Sequence, residues 1–586
     1  MTDKGAQPQT FTLGSIAFAL DPNGSFLRAV RMAGEEIFRG IGFAVRDANW
    51  GTPSLEATPR ISRDDASIRI DSEGRLLQGG ATLDWSLRWT IRGETIEGHL
   101  QASSREGFHT NRTGFVVLHG LEASRNRPVR IVHPDREEAE DSVFPDLVSP
   151  HQPFFDIAGM AYETGAGHGV EIGFEGEVFE CEDQRNWTDA SYKTYCRPLR
   201  LPFPYVVGPD GITQTVRIRL AAAAGDAAAG KTGGRTKSVS ASWVGPAFLL
   251  PAIGVASAPA MPGPRFAEAV GLLRPDLLAI EVDPTMADAA AQVAAKMPAT
   301  SGPVRLDMRA APPEATRTLI EALAPVLAER PDVRLTLWDR DEAAIEAARA
   351  LLPGVAIGGG TGAFFTELNR SDPPSNVDVL GWTSNPTVHG FDDDTIGETT
   401  EPLGDILRTA QARWPGRKFE IGPITLGFRY NPNATSPEGR ARSAPPDPRQ
   451  GRPIAAAWML GTVVGFLHDQ VDSLAFFEPE GPKGFVRSDG EMTPAGHLFR
   501  RLAGCDRARV HRVTWSNQPR WLGLLFASAD TPALAVANLQ AESAAIAFPD
   551  GAWNGVEILG RNGFAPVPAA ADRRVELPGF GVAWVS

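Results

Sequence analysis

Three cysteines in 586 residues, Cys181, Cys196 and Cys505, are too few and too odd in number to describe a disulfide scaffold. No segment reaches the roughly eighteen continuous apolar residues of a membrane span. The N-terminus MTDKGAQPQTF has no apolar stretch of the signal-peptide kind. These absences predict a soluble, cytoplasmic chain with no membrane partner. Basic residues are also in deficit: Lys+Arg number 57 against 71 Asp+Glu, a net charge of -14, which disfavours nucleic acid as a partner. There is no HExxH motif and no compact Cys/His cluster, so no metal ligands are assigned. There is no GxSxG elbow, which disfavours the usual serine-hydrolase arrangement. The GKT at Gly230–Thr232 lacks the preceding spacing of a phosphate loop. No cofactor is predicted.

What is present divides into blocks. A length of 586 residues exceeds one hydrophobic core and predicts several domains. Residues 1–225 carry short alternating or β-branched runs, among them TFTLGSIAFAL, EEIFRGIGFAV, TLDWSLRWTI and TQTVRIRL, separated by Gly, Asp, Asn and Pro. They predict an N-terminal large antiparallel β-sandwich. Residues 226–244, rich in Ala, Gly and Lys, read as a linker. From 245 to 505 eight strand candidates recur: AFLLPAIGVAS, LLAIEVD, VRLDMRA, VRLTLWD, VAIGGG, VDVLGW, KFEIGPITL and SLAFFEPE. Helical patterns such as Ala315–Arg330 lie between several of them. Eight such units fit a central (β/α)8 barrel, with a doubly wound open sheet as the alternative. Residues 506–586 alternate again and predict a small C-terminal β domain, in which Trp521 reads as core.

Two regions carry candidate chemistry. The stretch Phe174–Pro198 interleaves carboxylates with Arg185, Trp187, Tyr192 and Tyr195. Carboxylates, guanidinium groups and aromatic platforms together suit a hydroxyl-rich substrate such as a sugar or sugar acid, and a solvated acidic loop is the plainer alternative. In a barrel, polar residues at the carboxyl ends of strands face the active-site end. That rule selects Asp283, Asp307, Asp339, Glu367, Asn369, His389, Arg429, Asn431 and Glu478. Glu478 follows the apolar LAFF, whose poor hydration would raise its pKa toward that of a useful acid or base, unless it is a rim carboxylate paired with arginine. His389, in SNPTVHGFDDD, would carry a proton near neutral pH or lie on the surface. The acids Asp392–Asp394 raise the thought of a hard cation, but consecutive acids do not specify coordination geometry.

The motifs SREGFHTNRTGFVVLHG, VRIVHPD, FPDLVSPHQPFFDIAG, FECEDQRNWTDASYKTYCRP, FTELNR, GWTSNPTVHGFDD, LGFRYNPNA and AFFEPEGPKG resemble those of the D-apionate lactonase family, over most of the chain. The resemblance implies hydrolysis of D-apionolactone to D-apionate in apiose catabolism, with a small-molecule sugar lactone as partner. Glu182, Asp183, Arg185, Asn186 and Trp187 belong to the resembling acidic-aromatic segment. The first β-rich part also resembles the mutarotase-like supersandwiches at NRTGFVVLH, an analogy of fold only.

For lactone opening, Glu478 or His389 would deprotonate water, and Glu182 or Glu367 would protonate the departing ring alkoxide. Arg185 or Arg429 would meet the oxyanion. Asp183, Asn186, Trp187 and Asn431 complete the predicted substrate contacts. The competing reading is a glycoside hydrolase with paired barrel carboxylates, and a noncatalytic sugar-binding protein is a third. No pattern in the string sets an oligomeric state.

Overall fold

A computed structural model describes residues 8–223, 241–330, 332–431, 433–505, 507–515, 518–526, 533–547, 555–568 and 574–586. The GKT sequence and most of the expected linker, residues 226–240, lie outside them. The chain forms two compact units. The first comprises Met1–Arg185, Ala190–Arg235 and Asn431–Arg442, and the second Asn186–Asp189, Thr236–Tyr430 and Ser443–Ser586.

The first unit is built from two large antiparallel sheets, one of eight strands and one of nine. Alternation in the sequence sets their faces. In Ala81–Arg92, Leu83, Trp85, Leu87, Trp89 and Ile91 are buried while the intervening residues are partly or fully exposed, as the period of two requires. The inward residues of the two sheets meet in one apolar core, where Phe43 of one sheet lies 5.5 Å from Trp85 of the other and Phe115 lies 5.7 Å from Trp89. Each such large side chain taken from water contributes about 2–3 kcal/mol.

The second unit contains a closed parallel barrel of eight strands. Its strands are, in order, Ala252–Ser257, Leu277–Val282, Val304–Met308, Val333–Leu337, Ala356–Gly360, Val379–Ser384, Lys418–Ile424 and Val471–Phe476. Each of the eight apolar runs in the sequence supplies one of them, and closure excludes the open-sheet alternative. The run AFLLPAIGVAS serves two sheets: Ala241–Leu249 pairs antiparallel with Arg509–Trp515, and the first barrel strand starts at Ala252. Pro251, which has no N–H to donate, stands between them. The helix Pro313–Ala328 starts with proline at its first turn and buries Thr316, Leu319, Ile320, Leu323 and Leu327, a stripe at three- and four-residue spacing.

Barrel interiors are packed cores, and here part of the filling is ionic. Arg305 and Asp307 of the third strand face inward, paired through two hydrogen bonds of 2.7 and 2.8 Å. Glu420 of the seventh strand approaches the same guanidinium at 3.7 Å and is also bonded by Arg334 of the fourth. Contacts between the third and seventh strands cross the barrel, which identifies the inward face. The second strand presents Glu281 on that face, in register with Asp307.

The C-terminal sheet has seven strands, six of them antiparallel partners from residue 509 onward, and packs within the second unit. Trp521 is fully buried beside Trp515 in its core. Arg520 ties this sheet to the barrel helices by donating to Glu398 (2.8 Å) and Glu401 (3.3 Å).

Candidate active site at the carboxyl ends of the barrel strands

Glu281, at the end of the second strand, is the anchor of the barrel mouth. Its buried carboxylate accepts from Arg309 Nε at 2.9 Å and from Arg429 Nη1. Burial alone would raise its pKa, yet Arg429 and Arg309 together hold it down at about 2. Both guanidinium groups lie 5.4 Å from the centroid of the Tyr430 ring. Arg429 Nη2 also donates to the Gly362 carbonyl at 2.9 Å, and the Tyr430 hydroxyl donates to that same oxygen. The result is a rigid cationic wall, in which Arg429 is fully engaged and Arg309 retains some exposure.

Glu478 leaves the end of the eighth strand directly after Phe477, a buried residue held at φ 34. A left-handed non-glycine residue is costly, and here the surroundings fix it: Phe477 N donates to Ile424 O and its carbonyl accepts from Ala256 N, both at 3.0 Å, while its ring packs 5.0 Å from Phe485. Burial pushes the Glu478 carboxyl above its ordinary range; Glu281 and Glu480 add to the rise, and Lys483 and Lys296 oppose it. Lys296, at the end of the helix Ala289–Lys296, is itself buried and donates to the Ala258 carbonyl at 2.6 Å. Burial lowers its ammonium to about 8 against the attraction of Glu281, Glu478 and Asp288.

A second group occupies the loops after the fifth and sixth strands. His389 Nδ1 lies 2.5 Å from Asp189 Oδ2. Trp187 meets His389 edge to face at 5.9 Å and Phe364 at 5.6 Å. Asn369 donates to Asn186 Oδ1 at 2.9 Å, and Thr188 Oγ1 donates to the Asn385 carbonyl at 3.1 Å. The segment Asn186–Asp189 is therefore fastened to barrel loops at every residue. Gly360, at φ 120, lets the fifth strand turn into this loop; a Cβ there would stand 2.2 Å from the Gly381 carbonyl. Because Gly362 holds Arg429 and Tyr430 while Phe364 holds Trp187, one short loop links the cationic wall to the His389–Asp189 pair.

Of the ten residues given catalytic or substrate-contact roles from sequence, the barrel unit contains Glu478, His389, Glu367, Arg429, Asn186 and Trp187. Glu367 lies on the short helix Phe365–Asn369, two residues before Asn369. The remaining four are in the first unit. There Asp183 and Arg185 form a fully buried bidentate pair, and Arg185 gathers the carbonyls of Pro145, Asp146 and Leu147. Glu182 accepts from Gln184 at 2.8 Å and pairs with Lys193 at 3.4 Å. Asn431 donates to the Asn49 carbonyl at 3.1 Å. Cys181 and Cys196 are buried free thiols. Asp283 caps its own loop at Thr285, and Asp392 caps the helix Asp393–Glu398 through Thr395 N at 2.9 Å. Asp393 is paired with Arg449 and Arg452, so Asp392 and Asp393 have structural roles of their own.

Glu281, Arg309, Lys296, Tyr430 and Asp189 were not among the sequence candidates. Parity would have found Glu281, since it alternates with the inward Ala279 on an apolar strand. Nothing in the string links Asp189 to a histidine 200 residues away.

A closed parallel barrel whose ionisable residues gather at the carboxyl ends of its strands has the architecture of a barrel enzyme. Residues 1–223 match the D-apionate lactonase N-terminal domain model and residues 328–507 the D-apionate lactonase TIM barrel domain model. A D-apionate lactonase of Brucella anthropi is 32% identical over 530 residues, covering 84% of this chain and 85% of that protein. The chain belongs to the D-apionate lactonase family. Among solved structures, a GH30 endoxylanase from Clostridium papyrosolvens is 12% identical with a TM-score of 0.38, covering 58% of this chain and 97% of its own. Galactose 1-epimerase from Lactobacillus acidophilus is 13% identical with a TM-score of 0.25, covering 37% of this chain and 94% of its own.

Proposed function

We propose that this protein hydrolyses D-apionolactone to D-apionate, the reaction for which its family is named, in the catabolism of apiose. The supporting observation is the pairing of His389 with Asp189 at 2.5 Å beside the cationic barrel mouth that contains Glu478. Asp189 fixes the imidazole with Nδ1 toward the carboxylate and stabilises the imidazolium, and in this reading Nε2 is the atom that exchanges a proton with substrate. In this reading Glu478 removes a proton from water as it attacks the lactone carbonyl. The tetrahedral oxyanion meets the cationic wall, where Arg309 keeps donor capacity. Collapse breaks the bond from the carbonyl carbon to the ring oxygen. That oxygen leaves as an alkoxide and takes its proton from His389. The proton first accepted by Glu478 passes to solvent, the new carboxylic acid ionises to the carboxylate by losing its proton to solvent, and His389 is reprotonated from solvent. Trp187 offers an apolar edge to the sugar ring.

Glycoside hydrolysis would need two carboxylates flanking one acetal oxygen. Of the two carboxylates that act on Glu478, Glu281 is already engaged by two arginines and Glu480 accepts from Arg265 N at 3.1 Å, which favours the lactonase reading. The test is ring opening of D-apionolactone followed by NMR at mildly acidic pH, where the uncatalysed reaction is slow. The native protein should exceed the blank by orders of magnitude, and Glu478→Gln and His389→Asn should each lose about 100-fold or more in kcat. Native rates in both folded variants would reject these roles. Turnover of aryl glycosides without lactone turnover would move the assignment to the glycosidase reading.

A further inference from the structure

Lys296 is a buried cation whose position the barrel topology explains. Its Nζ is fixed by the carbonyl of Ala258, one residue beyond the first strand. The neighbours of that strand are the eighth and the second. Glu478 emerges from the first of these and Glu281 from the other. The link from Ala256 N to Phe477 O at 3.0 Å ties the strand beneath Lys296 to the residue that aims Glu478. The ammonium is thus fixed just beyond a strand whose two neighbours lead to Glu478 and Glu281. The two carboxylates are not equivalent partners, because Glu281 is already satisfied by Arg309 and Arg429.

We propose that Lys296 is a positioning residue for the hydrolysis, its ammonium, fixed on the carbonyl just beyond the first strand, serving as a counter-charge to the Glu478 carboxylate at the mouth. This deepens the proposed function, since it rests on Glu478 as the group that activates water. The charged groups facing Glu478 are Lys483, Glu281, Lys296 and Glu480, and those facing Lys296 are Glu281, Glu478 and Asp288. Burial and two carboxylates favour a protonated, inert Glu478. Two lysines oppose them, and Lys296 is the one held in place by a backbone bond. Removing its charge shifts Glu478 toward the neutral acid, so fewer molecules carry the base at a given pH. The loss is therefore greatest on the acid side and recovers as the pH rises.

The experiment compares the pH dependence of kcat/KM for D-apionolactone between pH 5 and 8 in native protein, Lys296→Met and Lys296→Arg, with thermal melts as the check on folding. The expected result is an acid limb displaced upward by about one pH unit in Lys296→Met, a roughly tenfold deficit at the acid end that shrinks toward pH 8. Lys296→Arg should restore most of the limb. An unmoved limb in folded Lys296→Met, with or without a uniform loss across the range, overturns the proposal. Should Lys296→Met not fold, Lys296→Gln set against Lys296→Arg gives the same readout. Glu478→Gln is measured alongside. If it keeps the native rate, the reading of Glu478 fails; if it is inactive while the limb of the Lys296 variants stays in place, only the inference about Lys296 fails.

Discussion

Arg305 and Glu420 approach each other across the inside of the barrel, Nη1 to Oε2 at 3.7 Å, with Asp307 completing the guanidinium's pairing. A barrel centre filled this way is sensitive to losing one partner, because the remaining charges have no water to turn to.

Arg305→Met should therefore cost roughly 3–5 kcal/mol of stability, the range for breaking a buried pair. Urea unfolding of the native and variant proteins checks this. A variant in which Arg305, Asp307 and Glu420 are replaced together by apolar residues of similar volume should recover much of the loss.

Glu281 gives stability a defined pH dependence. Its folded pKa of about 2 lies below the ordinary 4.5, so its contribution is complete above pH 4.5 and is lost as the pH falls toward 2. A shift of this size corresponds to roughly 3 kcal/mol. Glu281→Gln should be destabilised by about that amount at pH 7, and the gap from native protein should narrow at pH 3. Unfolding free energies at the two pH values provide the measurement, and a constant gap would contradict the linkage.

Asp189 and His389 should behave as one unit. We expect Asp189→Asn to lower kcat by about 100-fold or more and the double variant with His389→Asn to be little worse than His389→Asn alone, since groups that act together lose their effect together. Full multiplicative loss in a kinetic double-mutant cycle would show that they act separately.

Asp392 is a helix cap, so Asp392→Ala should cost about 1 kcal/mol. Thermal and chemical unfolding with and without millimolar calcium tests this against a cation site. The same stability loss in both conditions is expected, and a calcium-dependent gain in native protein alone would restore the cation reading.

The barrel was legible because buried parallel strands are continuous apolar runs of five to seven residues, set off by helices with a different period. The mouth was only partly legible. LAFFE marked Glu478, since an acid after four apolar residues must end its strand at a rim. EVD drew attention to Asp283, which caps its own turn, although Glu281 two places earlier has the inward parity. VRLDM likewise showed Asp307 as a rim acid, whereas its carboxylate is taken up by the bidentate pair with Arg305, two places earlier on the same strand. Lys296 closes an amphipathic helix, where lysine ordinarily meets solvent, and only the fold reveals that it turns inward. The acidic-aromatic segment stands out in the sequence as dense in charged and aromatic residues, but which of them enter the barrel unit depends on contacts formed far away in sequence.

The four residues Asn186–Asp189 have a genetic consequence. A gene fragment beginning after the N-terminal β region would encode all eight barrel strands and His389, but not the aspartate that orients it. Nor are the two halves freely exchangeable between relatives: a chimaera takes its aspartate from one parent and its histidine from the other. Trp187 and Phe364 touch, so recombination within this family should be tolerated best where both sets of residues come from one parent.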